Sequence, residues 1–170
     1  KIKGGTHNES DALFFIDKKT PGVELVDEPL FSHTYAFHHS IYKFNNVVIS
    51  DKNLIGKEGD GMSYTHSWFR HERLGIAARC CGAAERLIEE ATNFAKDRTA
   101  FGNKISNFQA IQFMLADSIN DLWAARLMVY ETCKAHDSGV DLKILHTKCS
   151  MVKLYASEMA NKVADRAVQI

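Results

Sequence analysis

From about Met62 to the end of the chain, apolar residues recur every three or four positions, the period of an amphipathic helix, in three runs separated by only a few residues. The first, Met62 to Arg98, steps through Phe69, Ile76, Cys80, Ala84, Leu87, Ala91 and Phe94. The second, Asn107 to His136, steps through Phe108, Ile111, Leu115, Ile119, Leu122, Val129 and Cys133. The third starts near Leu142 and steps through Leu145, Val152, Tyr155, Met159, Val163 and Ile170. A run of ~30 residues is about 45 Å of helix at roughly 1.5 Å per residue. Helices of that length joined by short turns must fold back on one another as an antiparallel bundle. Three such stripes call for a fourth to close their inner faces, and the third reaches Ile170 with no Gly, Asn or Pro to stop it. The chain is therefore expected to be a piece of a larger protein whose uncovered apolar face packs on another chain.

The first third has a different period. "DALFFID" (Asp11 to Asp17), "GVELVDE" (Gly22 to Glu28) and "HSIYKFNNVVIS" (His39 to Ser50) are rich in β-branched and aromatic residues and are bounded by "KKTPG" and "SDKN". These are three or four strands, too few to close a barrel or sandwich. The period changes after the loop "LIGKEGDG" (Leu54 to Gly61), which marks a domain boundary. The fold class is α+β, a partial antiparallel β-domain followed by the long antiparallel helices of an incomplete four-helix bundle.

Composition narrows the function classes. With 45% apolar and 25% charged residues the chain has a globular make-up, and its 21 basic and 21 acidic residues cancel. No global field gathers nucleic acid or an anionic membrane, so phosphate binding must be local. Cys80, Cys81, Cys133 and Cys149 form no CxxC pair and read as buried, reduced thiols. The eight histidines are scattered; His38 and His39 sit in strand-like sequence, and His66 and His71, five apart, do not share a helical face, so no metal site is expected. No stretch approaches the ~20 apolar residues of a bilayer span, and no signal-peptide pattern opens the chain.

The corner between the first two helical runs, "KDRTAFGNKISNFQAIQF" (Lys96 to Phe113), carries Arg98, Phe101, Gly102 and Gln109. Lys96 and Arg98 suit a helix C-terminus, with Gly102 as the residue that ends it. Ser106-x-x-Gln109 is a capping-box pattern for the next helix, which would account for Gln109 locally. Helix capping leaves unexplained an aromatic, Phe101, at an exposed turn.

"RTAFGNKISNFQAIQFMLAD", with "TPGVELVDEP", "NLIGKEGDGMSY", "HERLGIAA" and the terminal "ADRAVQI", resembles the acyl-CoA dehydrogenase family of flavoenzymes over nearly the whole chain and in the family's block order. The resemblance implies that residues 1–58 are the C-terminal part of a middle β-domain and residues 59–170 three of four bundle helices. It implies FAD as cofactor, an acyl-CoA thioester as substrate, a homo-oligomer of tetrameric habit, an electron-transfer flavoprotein as electron acceptor, and a cytoplasmic or, in a eukaryote, mitochondrial-matrix enzyme. In that family the corner reaches the FAD of a neighbouring protomer. Carried onto this chain, Arg98 would meet the diphosphate, Phe101 pack on the cofactor and Gln109 hydrogen-bond it. Gln169 matches the family's "QIxGG" element, without the two glycines that follow there.

The family's chemistry removes an α-proton with a carboxylate while hydride leaves the β-carbon for the flavin. Most members place that base after the fourth helix, and a minority on the first, at the position of Glu72. Glu72 lies three residues after Phe69 and four before Ile76, on the stripe expected to face inward, with Arg73 beside it. Glu72 is thus either the base or an ion-pair partner of Arg73, and the resemblance places Arg73 on the acyl-CoA side. Arg70 stands where some relatives carry an acidic CoA contact. Alternatives on the same fold are a flavin-dependent oxidase or monooxygenase, or a non-catalytic assembly module in this piece taken alone.

Overall fold

The computed structural model describes residues 11–32 and 39–170; His38 lies outside them. The elements in order are β1 (Leu13–Phe14), β2 (Val23–Asp27), β3 (Ile41–Phe44), β4 (Leu54–Ile55), α1 (Gly61–Asp97), β5 (Thr99–Ala100), β6 (Asn103–Lys104), α2 (Gln109–Asp137) and α3 (Leu142–Gln169). They fall into two compact units, the first reaching to Thr65 and the second running His66–Ile170. Antiparallel strand pairs followed by long helices are the α+β architecture that the sequence predicts.

In the first unit β1 pairs with β4 and β2 with β3, both antiparallel. The "TPG" turn entering β2 is closed by Val23 N–H donating to the Thr20 carbonyl at 3.0 Å. Gly22 sits there at φ 87, and a Cβ on it would lie 2.3 Å from the Asn45 carbonyl oxygen, so both backbone angle and space require glycine. The structure shortens all three expected strands, the run Asp11 to Asp17 to Leu13–Phe14 and the run Gly22 to Glu28 to Val23–Asp27, and adds another. The run His39 to Ser50 is strand only over Ile41–Phe44, because Asn45 N–H turns to the Gly22 carbonyl (2.9 Å) and Asn46 takes φ 49, leaving the extended path. Leu54–Ile55, read from sequence as loop, is drawn into pairing with Phe14 and Leu13.

The second unit is built from the helices, whose bounds lie within two residues of the sequence expectation. Side-chain contacts fix their directions. Arg73 near the start of α1 reaches His146 and Ser150 near the start of α3, while Arg166 near the end of α3 reaches Ser118 and Asp121 early in α2. The chain therefore runs up, down and up.

Buried positions step by alternating fours and threes: Ala77, Cys81, Ala84, Ile88, Ala91 and Ala95 in α1; Ser118, Leu122, Ala125, Val129 and Thr132 in α2, where Ala135 then breaks the alternation; Leu145, Cys149, Val152, Ala156, Met159 and Val163 in α3. This 3.5-residue repeat is the seam of knobs-into-holes packing. It corrects the expected stripes, which followed bulk: Phe94 and Ile119 are more than half exposed, and α1 buries alanines instead. The two buried hydroxyls, Ser118 and Thr132, donate to carbonyls one turn back, Met114 (2.7 Å) and Met128 (2.8 Å), so they enter the seam without an unmet bond.

The two helix joints differ in kind. Between α2 and α3 the chain turns in a Schellman motif: Gly139, at φ 68, donates to the His136 carbonyl and Val140 to that of Ala135. Asp141 then caps α3 by accepting from the N–H groups of Lys143 (2.9 Å) and Ile144 (3.2 Å). Between α1 and α2 the chain instead builds the miniature hairpin β5–β6, followed by one 3₁₀ turn, Ile105–Asn107.

Candidate functional site

The hairpin corner overturns both capping expectations. Helix α1 stops at Asp97, and the Lys104 ammonium covers its end by donating to the Asp97 carbonyl at 2.6 Å. Gly102 is not the residue that ends the helix; with Phe101 it forms the two-residue tip between the paired Ala100 and Asn103. Ser106 does not cap α2 either, since Phe108 holds the N-cap position without a side-chain bond and the Ser106 carbonyl accepts from Gln112 instead. Gln109 is exposed, and no hydrogen bond holds its amide among the described residues. The local explanation of Gln109 is thereby removed.

Phe101 is the anomaly of the corner. Both tip residues have positive φ, 54 at Phe101 and 75 at Gly102, as in a type I′ turn, which favours Asn-Gly. A phenylalanine in this region costs about 1 to 2 kcal/mol relative to ordinary backbone. Its side chain is 99% exposed and meets the Phe108 ring in a T-shaped contact, with ring centroids 6.5 Å apart. Neither burial nor turn chemistry rewards the residue. Arg98 stands exposed beside it with no carboxylate partner among the described residues, its carbonyl accepting from Ile105 N–H at 3.0 Å. Gln169 lies at the same end of the bundle, in a groove of about 450 Å³ with Leu87, Phe94 and Val168, and is exposed.

The other sequence-derived residues sit far away. Glu72 and Arg98 are 26 residues apart on and just beyond a continuous helix, roughly 39 Å at 1.5 Å per residue. Glu72 is half-exposed rather than turned inward. It does not pair with Arg73: its carboxylate lies 3.7 Å from Arg79, itself largely exposed. Arg73 crosses to α3, where its Nη1 donates to His146 Nε2 (2.8 Å) and Ser150 Oγ (2.9 Å), and its guanidinium lies over the Phe69 ring at 5.4 Å.

No sequence motif singles out His146 and Ser150, although their i, i+4 spacing puts them on one face of α3. Burial first, then the positive charges of Arg73, His66 and Arg70, hold the His146 imidazole below its usual 6.5, so Nε2 is the acceptor that Arg73 requires. Burial likewise raises the thiols of Cys81 and Cys149, and all four cysteines are free. Among the described residues no group of three or more His, Cys, Asp or Glu side chains is placed to hold a metal ion.

Known proteins resemble this arrangement. The family model described as acyl-CoA dehydrogenase, C-terminal domain, matches residues 59–170. An acyl-CoA dehydrogenase of Bacillus subtilis is 36% identical over 166 residues, 98% of this chain and 42% of the relative. The caffeyl-CoA reductase–Etf complex subunit CarC of Acetobacterium woodii is 34% identical, over 94% of this chain and 41% of its own. The solved structure of PigA with FAD and proline superposes with a TM-score of 0.86 at 30% identity, covering 93% of this chain and 40% of PigA. The chain thus spans about two fifths of the length of these relatives.

Two outcomes follow from the geometry. Phe101→Asn should stabilise the fold by about 1 kcal/mol, because Asn tolerates the left-handed region that Phe does not; a lower melting temperature would show that the Phe108 contact holds the turn. Stability should also depend on His146. The folded state resists a proton that the unfolded chain accepts near 6.5, so stability is complete above that pH and falls as pH drops through and below it. Melting curves of His146→Gln against pH should show a shallower loss over that interval than the parent.

Proposed function

Because the chain belongs to the acyl-CoA dehydrogenase family, we propose that it is part of a flavoenzyme that desaturates the α,β-carbons of an acyl-CoA thioester with FAD. The observation carrying this reading is Phe101, a fully exposed aromatic held in a costly turn conformation beside an arginine without a counter-ion among the described residues. An uncovered ring, a guanidinium fork and an open amide at Gln109 suit a diphosphate-bearing dinucleotide, and the related PigA structure holds FAD. Arg98 would grip the diphosphate, Phe101 would cover the cofactor's flank and Gln109 would bond a more distal part. Gln169, at the same end of the bundle, would add a further contact. FAD, when bound, supplies the acceptor for the hydride leaving the β-carbon.

Glu72 would take the α-proton, with Arg73 lining the thioester side. The carboxylate is available for that role, because its only ion-pair partner among the described residues is the exposed Arg79 at 3.7 Å, an interaction of small worth. The ~39 Å between Glu72 and the corner means that the two sets do not meet within one chain. The corner would therefore serve a cofactor held by a neighbouring copy, which supports a homo-oligomer, in the tetrameric form common in the family. Electron-transfer flavoprotein as acceptor is supported by the relationship to an Etf-complex subunit.

Arg98→Ala in the whole protein should weaken flavin retention about tenfold or more, the worth of a charge-assisted hydrogen bond, with helix content unchanged. Equal loss of helix by circular dichroism would make Arg98 structural instead. Glu72→Gln keeps the shape and removes the proton acceptor, so anaerobic flavin bleaching by a bound acyl-CoA should slow about 10²-fold or more. A normal bleaching rate would place the base elsewhere.

A further inference from the structure

Two histidines meet across the groove between α1 and α2, on a face of α1 that neither the corner nor the Glu72–Arg73 cluster uses. His71 lies in the first third of α1 and His136 in the last turn of α2, and both are exposed. Their rings stand edge to face at 74°, with centroids 5.4 Å apart. Sequence spacing pairs His71 only with His66, on another face; the fold pairs it with His136.

The hydrogen bonds of the two rings match. His71 Nδ1 lies 3.0 Å from the Ser67 carbonyl oxygen one turn back, and His136 Nδ1 lies 3.4 Å from a carboxylate oxygen of Asp137. Both partners can only accept, which assigns the proton in each ring to Nδ1 and, in the neutral imidazole, leaves the lone pair on Nε2. This is the tautomer in which histidine ligates a metal through Nε2, the outer bond fixing the ring and raising the basicity of the ligating nitrogen. An aromatic contact alone needs no such anchoring.

The spacing fits as well. With a metal–nitrogen bond of about 2.0 to 2.1 Å, two imidazoles bound to one ion at a tetrahedral angle hold their centroids roughly 5.2 Å apart, close to the separation seen. The same groove, a space of about 380 Å³ lined by Leu74, Gly75, Ala78, Val129 and Cys133, leaves room for water on the ion's remaining positions. A Cβ placed on Gly75 would meet nothing within 4 Å, so that side of the groove is open. No third His, Cys, Asp or Glu joins the pair as a ligand among the described residues.

We propose that His71 and His136 form a two-histidine site for a divalent transition-metal ion of the Zn²⁺, Ni²⁺ and Cu²⁺ class, tying the first third of α1 to the end of α2. Neutral nitrogen donors suit these ions and not Mg²⁺ or Ca²⁺, and with water completing the shell Cu²⁺ binds most tightly. The two ligands come together only in the folded bundle, so the ion binds the folded state and raises its melting temperature. The site is independent of the flavoenzyme reading, since it shares no residue with it.

The test is calorimetric titration of the whole protein, tag-free and stripped of metal, with Cu²⁺, Ni²⁺, Zn²⁺ and Mg²⁺, alongside His71→Gln, His136→Gln and, as a control, His66→Gln. The parent should take one Cu²⁺, Ni²⁺ or Zn²⁺ per chain at this site and no Mg²⁺. His71→Gln and His136→Gln should each weaken that binding about tenfold or more, while His66→Gln changes it less than about twofold. Both replaced side chains are exposed, so without metal the variants should melt with the parent, and the rise in melting temperature on adding metal should be lost. Electron paramagnetic resonance of the Cu²⁺ form should show coupling to two imidazole nitrogens, falling to one in either variant. No binding by the parent, losses under about twofold in both variants, or an equal loss in His66→Gln would overturn the site.

Discussion

The alternating four-and-three seam of buried side chains is what the rest of the bundle depends on. Ala77, Cys81, Ala84 and Ile88 give α1 its inner face, met by Val152, Ala156, Met159 and Val163 of α3 and by Leu122, Ala125 and Val129 of α2. Burial in a shared register holds the long helices against one another, and packed side chains make the bundle stiff. That stiffness turns the ends of the helices into fixed stations. One carries Arg98, Phe101, Gln109 and Gln169; the other carries Glu72, Arg73, His146 and Ser150. Chemistry that needs both must draw them from different copies of the chain.

Much of this was legible from periodicity alone. The three helices, their order and their ends to within two residues follow from the 3.6 period, because burial of an amphipathic face dominates the stability of elements this long. The exact face is not legible from bulk, since α1 buries alanines and leaves Phe94 half in solvent. The hairpin Thr99–Lys104 escaped because two paired residues on each side are too few to show alternation, and Phe-Gly is not a recognised signal for its turn. The strand after Ile41 was read too long, since Asn45 and Asn46 carry little weight in a run otherwise rich in β-branched residues.

The candidate site divides in the same way. Arg98, Phe101 and Gln109 could be named from the family resemblance, and the structure adds that nothing local explains them. The partner of Arg73 could not be read, because it lies 73 residues away on another helix; adjacency suggested Glu72, while helix geometry sends neighbouring side chains in different directions. Long-range pairing is the information that a single sequence conceals most completely. Here it decides which arginines keep an uncancelled charge.

The Phe101 turn also bears on the history of the chain. A tip that would be more comfortable with asparagine is a position where drift has a downhill direction. A lineage that lost its ligand would shed the phenylalanine early, by substitutions that improve folding, long before the buried seam eroded. If the corner serves a ligand as proposed, this single residue would be a sentinel for decay in related chains whose bundles remain intact.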